Sequence, residues 1–270
     1  MWTESVFGVN KPIIALLHLR AMPGDPKFDK NGGMSAVVSA AKRELDALQD
    51  SGVDGILFAN EFSLPYQHKV AHVTTAAMAR IIGELLKDIK VPYGVNVILN
   101  PMAAIDLAAA TGASFIRSTF TGAYIGESGI TNTDVASYVR RKMELGLDDL
   151  KLLYKVNPES DVYITERNIT KITKSIIFHC DPDGLCVSGD SAGLETNSKS
   201  ITIVKSAAGN IPVFCSTGCT SHNIVDKLEC SDGAFVGTSL KENGKFDNFV
   251  DAQRVSEFMG IVKKYRKEHS

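Results

Sequence analysis

Eight short apolar runs recur along the chain, and segments with helical spacing or loop character separate them. The runs cover 12–19, 55–60, 93–99, 115–119, 150–156, 184–188, 213–216 and 234–237. Between them, 35–51 places Val37, Val38, Ala41, Leu45 and Leu48 at helical spacing, and 74–89, 103–111, 134–146, 198–208, 223–228 and 251–265 follow the same logic. Each crossover helix returns the chain to the same end of a sheet, so strands joined in this way run parallel. Eight repeats of the unit predict a closed (β/α)8 TIM barrel rather than an open doubly wound sheet. No Gly-x-Gly-x-x-Gly follows the first run, which argues against a dinucleotide-binding fold. No linker rich in proline, glycine and serine interrupts the pattern, so one α/β domain over residues 1–270 is expected.

Composition narrows the function classes. With 44% hydrophobic residues among 270, the chain can bury a large core. A net charge of −2 shows no basic excess, and no nucleic-acid partner is expected. The five cysteines are odd in number, and Cys215 and Cys219 lack the two-residue spacing of a redox or zinc motif. They read as reduced thiols in a cytoplasmic protein. Met1-Trp-Thr-Glu-Ser5 is too short and polar to begin a signal peptide. No apolar run reaches the roughly 18 to 20 residues that span a bilayer, so no integral membrane segment is expected. Assembly into a homo-oligomer is left open.

The seventh and eighth runs end in Cys215-Ser-Thr-Gly218 and Val236-Gly-Thr-Ser239. Small residues let backbone N–H groups approach an anion, and in a TIM barrel these two loops commonly hold a phosphate. Gly218, Gly237, Thr238 and Ser239 are therefore candidates for binding a phosphorylated small molecule; ordinary tight turns would use the same residue types.

The fifth run, Leu150-Lys-Leu-Leu-Tyr-Lys-Val156, has only two side-chain parities. One places Leu150, Leu152 and Tyr154 against the helices and Lys151, Leu153 and Lys155 inside the barrel. The other buries both lysines under the helical layer, at far greater cost. Arg117 on the neighbouring run shares a parity with Phe115 and Thr119. Arg117 and Lys155 could clamp an anion, Lys155 could form a Schiff base with a carbonyl, or the charges could be a structural pair. His18 and Glu61, closing the first two runs, are expected on one rim as acid–base groups. Asn96 and Asn100 share a parity for hydrogen bonding to substrate, and Ser188 and Asp190 close the sixth run. His18, Glu61 and Asp190 could also hold a divalent metal, although no metal-binding spacing is present. No other cofactor is expected. Insertions at 20–33, 61–73, 120–133 and 158–166 follow strand ends. The glycine-rich start of the third reads as a mobile lid or an ordered surface loop.

Longer motifs carry a resemblance. His18-Leu-Arg-Ala-Met-Pro-Gly-Asp25, Asn60-Glu-Phe-Ser-Leu-Pro-Tyr66, Thr74-Thr-Ala-Ala-Met-Ala-Arg-Ile-Ile-Gly83, Pro92-Tyr-Gly-Val-Asn-Val97, Phe115-Ile-Arg-Ser-Thr-Phe-Thr-Gly-Ala-Tyr124 and Asp183-Gly-Leu-Cys-Val-Ser-Gly189 are similar to the BtpA/SgcQ family. The similarity extends to Asn248-Phe-Val-Asp-Ala252 and favours the SgcQ branch. It implies a TIM barrel of the ribulose-phosphate-binding type. The family names come from photosystem I biogenesis at thylakoid membranes and from a sugar phosphotransferase gene cluster. Neither supplies a reaction or catalytic residues. An enzyme of phosphosugar metabolism, such as an aldolase, isomerase or glycosyl-bond-cleaving enzyme, is the leading expectation. The alternative is a non-catalytic metabolite-binding or membrane-complex biogenesis factor.

Overall fold

Strands apolar on both parities have no solvated face and must be covered on two sides. The computed structural model, which describes residues 1–191 and 193–269, meets that need with a closed parallel barrel. Its strands are β1 (Ile13–His18), β2 (Gly55–Ala59), β3 (Tyr93–Asn96), β4 (Phe115–Ser118), β7 (Lys151–Lys155), β9 (Gly184–Val187), β10 (Val213–Cys215) and β11 (Ala234–Val236). They close in the order β1-β11-β10-β9-β7-β4-β3-β2. Between β4 and β9 lie β5 (Ala123–Gly126), β6 (Gly129–Asn132) and β8 (Val162–Tyr163), which form a separate three-stranded sheet.

Alternating parity divides the apolar residues into two cores. Ile13, Ala15 and Leu17 face outward with Ile56, Phe58, Val95, Ile116, Leu152 and Tyr154. Helices α2 (Gly33–Asp50), α3 (His72–Leu85), α4 (Pro101–Thr111), α5 (Val135–Glu144), α6 (Ile169–Cys180), α7 (Ser198–Ala208), α8 (Ile224–Cys230) and α9 (Ala252–Glu268) lie around the barrel. Ile14, Leu57, Phe115, Leu153, Cys186, Phe214 and Phe235 face inward. A short helix, α1 (Trp2–Phe7), closes the floor beneath them. Phe7 meets Phe115 at 5.7 Å between ring centroids, and the Trp2 indole donates to the Asp183 carbonyl at 2.7 Å.

Several expectations change. The segments Trp2–Phe7 and Ile169–Cys180 are helices that the apolar spacing did not reveal. In α6, Ile172 and Ile176 are buried, and the Asn168 side chain accepts from the Thr170 N–H at 2.8 Å. Its many β-branched residues hide this helix from propensity. The third run stops at Asn96, because Asn100 caps α4 by accepting from the Ala103 N–H at 3.0 Å. The insertion at 120–133 forms the β5–β6 antiparallel hairpin, with β8 added at its other edge. Tyr124 and Thr131 are on its buried face, while Ile125, Ile130 and Val162 are exposed on the other. Lys151 begins β7 at the floor end and pairs with Asp183 at 3.5 Å.

Candidate active site

Inward parity carries polar residues to the carboxyl ends of the strands. Register places His18 beside Ala59 and Ala59 beside Asn96 on consecutive strands. Arg117 on β4 and Lys155 on β7 continue the inward set, while Ser188, Ser216 and Gly237 follow the ends of β9, β10 and β11. Ala59 and Gly237 leave space beside His18. A Cβ at Gly237 would lie 3.0 Å from His18 Nε2 and from Leu16 Cδ1, so a side chain there would press on the imidazole.

One side of the mouth is charged. Lys155 forms an ion pair with Glu159, and the Ser188 hydroxyl donates to the same carboxylate at 3.2 Å. Asn157 fixes this turn, donating to the Ser188 carbonyl at 2.8 Å and accepting from the Ser188 N–H at 3.1 Å. Burial opposes ionisation of Glu159, but Lys155 and Arg117 outweigh it and hold the carboxyl down at about 2. Glu61 behaves oppositely. Burial raises its pKa, and the pull of Arg117 and Lys155 only partly compensates. The Tyr66 hydroxyl lies 3.1 Å from Glu61 Oε2 and donates to it.

Arg117 is only 3% exposed. Its Nη1 donates weakly to the Ser216 carbonyl at 3.4 Å and hydroxyl at 3.3 Å, its guanidinium lies 4.8 Å from the Phe235 ring centroid, and Nε has no hydrogen-bond partner. These contacts are all to uncharged groups. Glu61 and Glu159 sense the Arg117 charge from farther away.

His18 is buried with both ring nitrogens unpartnered. Burial, reinforced by Lys241, Arg117 and Arg20, pushes its pKa well below the ordinary value and keeps the imidazole neutral. The electrostatic neighbours of His18 are therefore cations, not the Glu61 carboxylate anticipated as its acid–base partner. Phe246 covers the ring at 5.3 Å between centroids. Lys241 positions that cover by donating to the Phe246 carbonyl at 2.9 Å, and it lies 3.8 Å from the buried Glu44 carboxylate. Asn96 contributes another unpartnered acceptor, its Oδ1.

Asp190 is exposed at the rim, with its backbone carbonyl accepting from the Ser160 N–H at 3.1 Å. Glu159, rather than Asp190, is the carboxylate held against Lys155. His18, Glu61 and Asp190 do not form a metal site: among the described residues, no group of three or more His, Cys, Asp or Glu could hold an ion. Gly218 adopts φ +69°, and any side chain there would collide with the backbone of Glu195. Close packing within the protein thus accounts for the glycine. Lys227 pins that overlying segment through Glu195 Oε1 at 2.6 Å and the Thr196 carbonyl at 2.7 Å. Thr238–Leu240 form a 3-10 turn after Gly237, and the Ser239 hydroxyl donates to the Cys219 carbonyl at 2.6 Å.

Glu159, Lys241 and Glu44 are the charged groups that sequence reasoning missed. Glu44 had a signal, since Val37, Ala41, Glu44 and Leu48 share one buried helical stripe. Glu159 had only its four-residue separation from Lys155.

Among solved structures, the fold resembles (S)-3-O-geranylgeranylglyceryl phosphate synthase from Thermoplasma acidophilum, solved with its substrate sn-glycerol-1-phosphate. The TM-score is 0.62 at 13% identity, with 97% of each chain covered. Phosphoribosyl anthranilate isomerase from Thermococcus kodakaraensis gives a TM-score of 0.57 at 12% identity, covering 94% of this chain and 99% of that one. These likenesses concern the barrel. The sequence is 47% identical to SgcQ, a protein of the sgc region of Escherichia coli strain K12, over 98% of this chain and 99% of that relative. It is 29% identical to the photosystem I biogenesis protein BtpA of Synechocystis, over 94% of this chain and 88% of that relative. No helix among the described residues is long and apolar enough to cross a membrane. With the family pattern matched over residues 9–264, the chain belongs to the BtpA family.

Proposed function

We propose that this barrel is an enzyme acting on a phosphorylated, sugar-like small molecule. The observation carrying this reading is Arg117, a buried guanidinium with uncharged contacts and an unpartnered Nε. A buried cation lacking a close counter-charge is costly, and a phosphate dianion would supply that charge with oxygens suited to a guanidinium. Arg117 reaches Ser216, directly before the Thr217-Gly218 turn, and its head lies on Phe235 at the foot of Gly237-Thr238-Ser239. The first N–H groups of the turn at Thr238 have no acceptor within it and suit an anion. The glycerol-phosphate-bound neighbour adds a fold-level analogy.

Glu61 is the proton-moving group in this reading. Burial makes the Glu61 carboxyl hold its proton more tightly than an ordinary carboxyl, which suits it to the proton transfer that isomerisation, aldol cleavage and glycosyl-bond cleavage all require. Lys155 is held against Glu159, an arrangement suited to an electrostatic role; a Schiff-base nucleophile needs a free amine. Neutral His18 and Asn96 would hydrogen-bond the hydroxylated portion of the substrate, with Ser188 orienting Glu159. Asp190 contributes at most from the rim.

Calorimetric titration with inorganic phosphate, followed by turnover assays on a panel of sugar phosphates, tests the proposal. Arg117→Met should weaken phosphate binding about a hundredfold or more in a variant that still folds. Unchanged affinity in the folded variant would exclude the Arg117 seat. Saturable binding without turnover across the panel would favour a non-catalytic metabolite sensor.

A further inference from the structure

Cys215, at the end of β10, and Cys219 place their sulfurs 3.3 Å apart, with the Cys219 thiol donating to Cys215 Sγ. Both side chains are buried. A disulfide needs its sulfurs at about 2.05 Å, so the approach required is roughly 1.3 Å. Gly218, at φ +69°, already turns the chain between them. The neighbouring Lys227 ammonium is fixed by the Thr196 carbonyl at 2.7 Å and the Ser198 hydroxyl at 2.9 Å. The hydrogen bond from Cys219 lowers the Cys215 pKa against the effect of burial, and Lys227 assists; Cys219 moves upward. Of the two sulfurs, Cys215 is therefore the more easily deprotonated and Cys219 the one that holds its proton more tightly.

The three intervening residues support the mouth. Ser216 receives the Arg117 contacts, and the Thr217 hydroxyl accepts from the Gly189 N–H at 2.6 Å. We propose that Cys215 and Cys219 are a reversible dithiol–disulfide switch whose closure displaces Ser216–Thr217 from these partners. Its effect on phosphate binding rests on the function proposed above; the cysteine chemistry does not. A hydroperoxide is the oxidant. The Cys215 thiolate attacks a peroxide oxygen, the O–O bond breaks, and hydroxide leaves, becoming water with the former Cys215 proton. The Cys219 sulfur then attacks the sulfenic sulfur, the S–S bond forms, and the S–O bond breaks as hydroxide leaves with the Cys219 proton. The two thiols lose two electrons, the peroxide gains them, and two waters form when hydrogen peroxide is used.

Treating the reduced full-length chain with hydrogen peroxide should lower the mass of the tryptic peptide 206–227 by two hydrogens, and a reducing agent should restore it. Cys219→Ser should abolish this change, whereas Cys186→Ser should preserve it. Hydrogen exchange at the Gly189 amide should accelerate on oxidation, and inorganic phosphate should bind about tenfold more weakly, as expected for losing roughly one charge-assisted hydrogen bond. An unchanged peptide, a disulfide joining Cys215 to Cys186, or unaltered Gly189 exchange in the oxidised chain would overturn the switch. If the reduced protein fails to bind phosphate, the proposed function fails, and peptide mapping with Gly189 exchange still decides the switch.

Discussion

The floor and mouth of this barrel occupy the same cylinder, but their interiors obey different rules. At the floor, Phe115, Phe214, Phe235, Ile14, Leu57 and Leu153 fill the space, sealed by Phe7. At the mouth, His18, Asn96 and Arg117 are buried with side-chain atoms that have no hydrogen-bond partner. Leaving a buried polar group unsatisfied costs about 1–3 kcal/mol, so a mouth built this way subtracts from stability while the floor supplies it. The contrast separates the residues that hold the barrel together from those free to meet a ligand.

Removing a floor aromatic should have the largest effect on stability. Phe214→Ala should destabilise the protein by about 3–5 kcal/mol in urea unfolding, with phosphate affinity unchanged in the folded protein. A loss near zero, or a selective loss of binding, would erase the distinction between the two ends. Next comes the charged edge of the mouth. Glu159→Gln leaves Lys155 without its partner and should cost about 2–3 kcal/mol at neutral pH, below the fully buried limit because both side chains are 13% exposed. Since folding depresses this carboxyl to about 2, its stabilisation is present above the unfolded carboxylate range. The deficit should therefore disappear as pH falls from about 4.3 toward 2. Adding Lys155→Met should recover much of the loss, and failure to do so would show that the pair does not act as a unit.

Glu61→Gln should change stability least and in the opposite direction. A carboxyl raised by folding favours the native state at low pH and loses that contribution as pH rises through its folded value. The variant should therefore melt higher than the parent at neutral pH, with the gap closing on the acid side. Once a substrate is known, its turnover should fall about a hundredfold to ten-thousandfold. A lower melting temperature at neutral pH would place Glu61 among the residues holding the structure together.

The eight barrel strands were legible because their apolar residues occupy both parities, a pattern that persists whatever the neighbouring loops do. Helix α6 was obscured by Ile169-Thr-Lys-Ile-Thr173, whose local preference is extended until packing overrides it. The small sheet was missed because β5 and β6 have four residues each and β8 only two, too few for a periodic signal. At the site, strand parity was enough to nominate His18, Asn96, Arg117 and Lys155. It misdirected the choice of carboxylate: Asp190 lies three residues beyond the end of β9, where strand parity no longer governs direction. Glu159 belongs to an irregular turn held by Asn157, and that arrangement exists only after β7 and β9 are paired.

The helical plug also sets an order of assembly. Trp2 lies against Phe214 at 6.5 Å between ring centroids, and Phe7 meets Phe115, so the plug bridges segments distant in sequence. On a ribosome, Trp2 emerges long before Phe214 exists. At about 5–20 residues per second, roughly 10–40 s pass before that aromatic neighbour is translated. Through this interval the base of the nascent cylinder remains open, and residues made well before their partners become some of the last to settle.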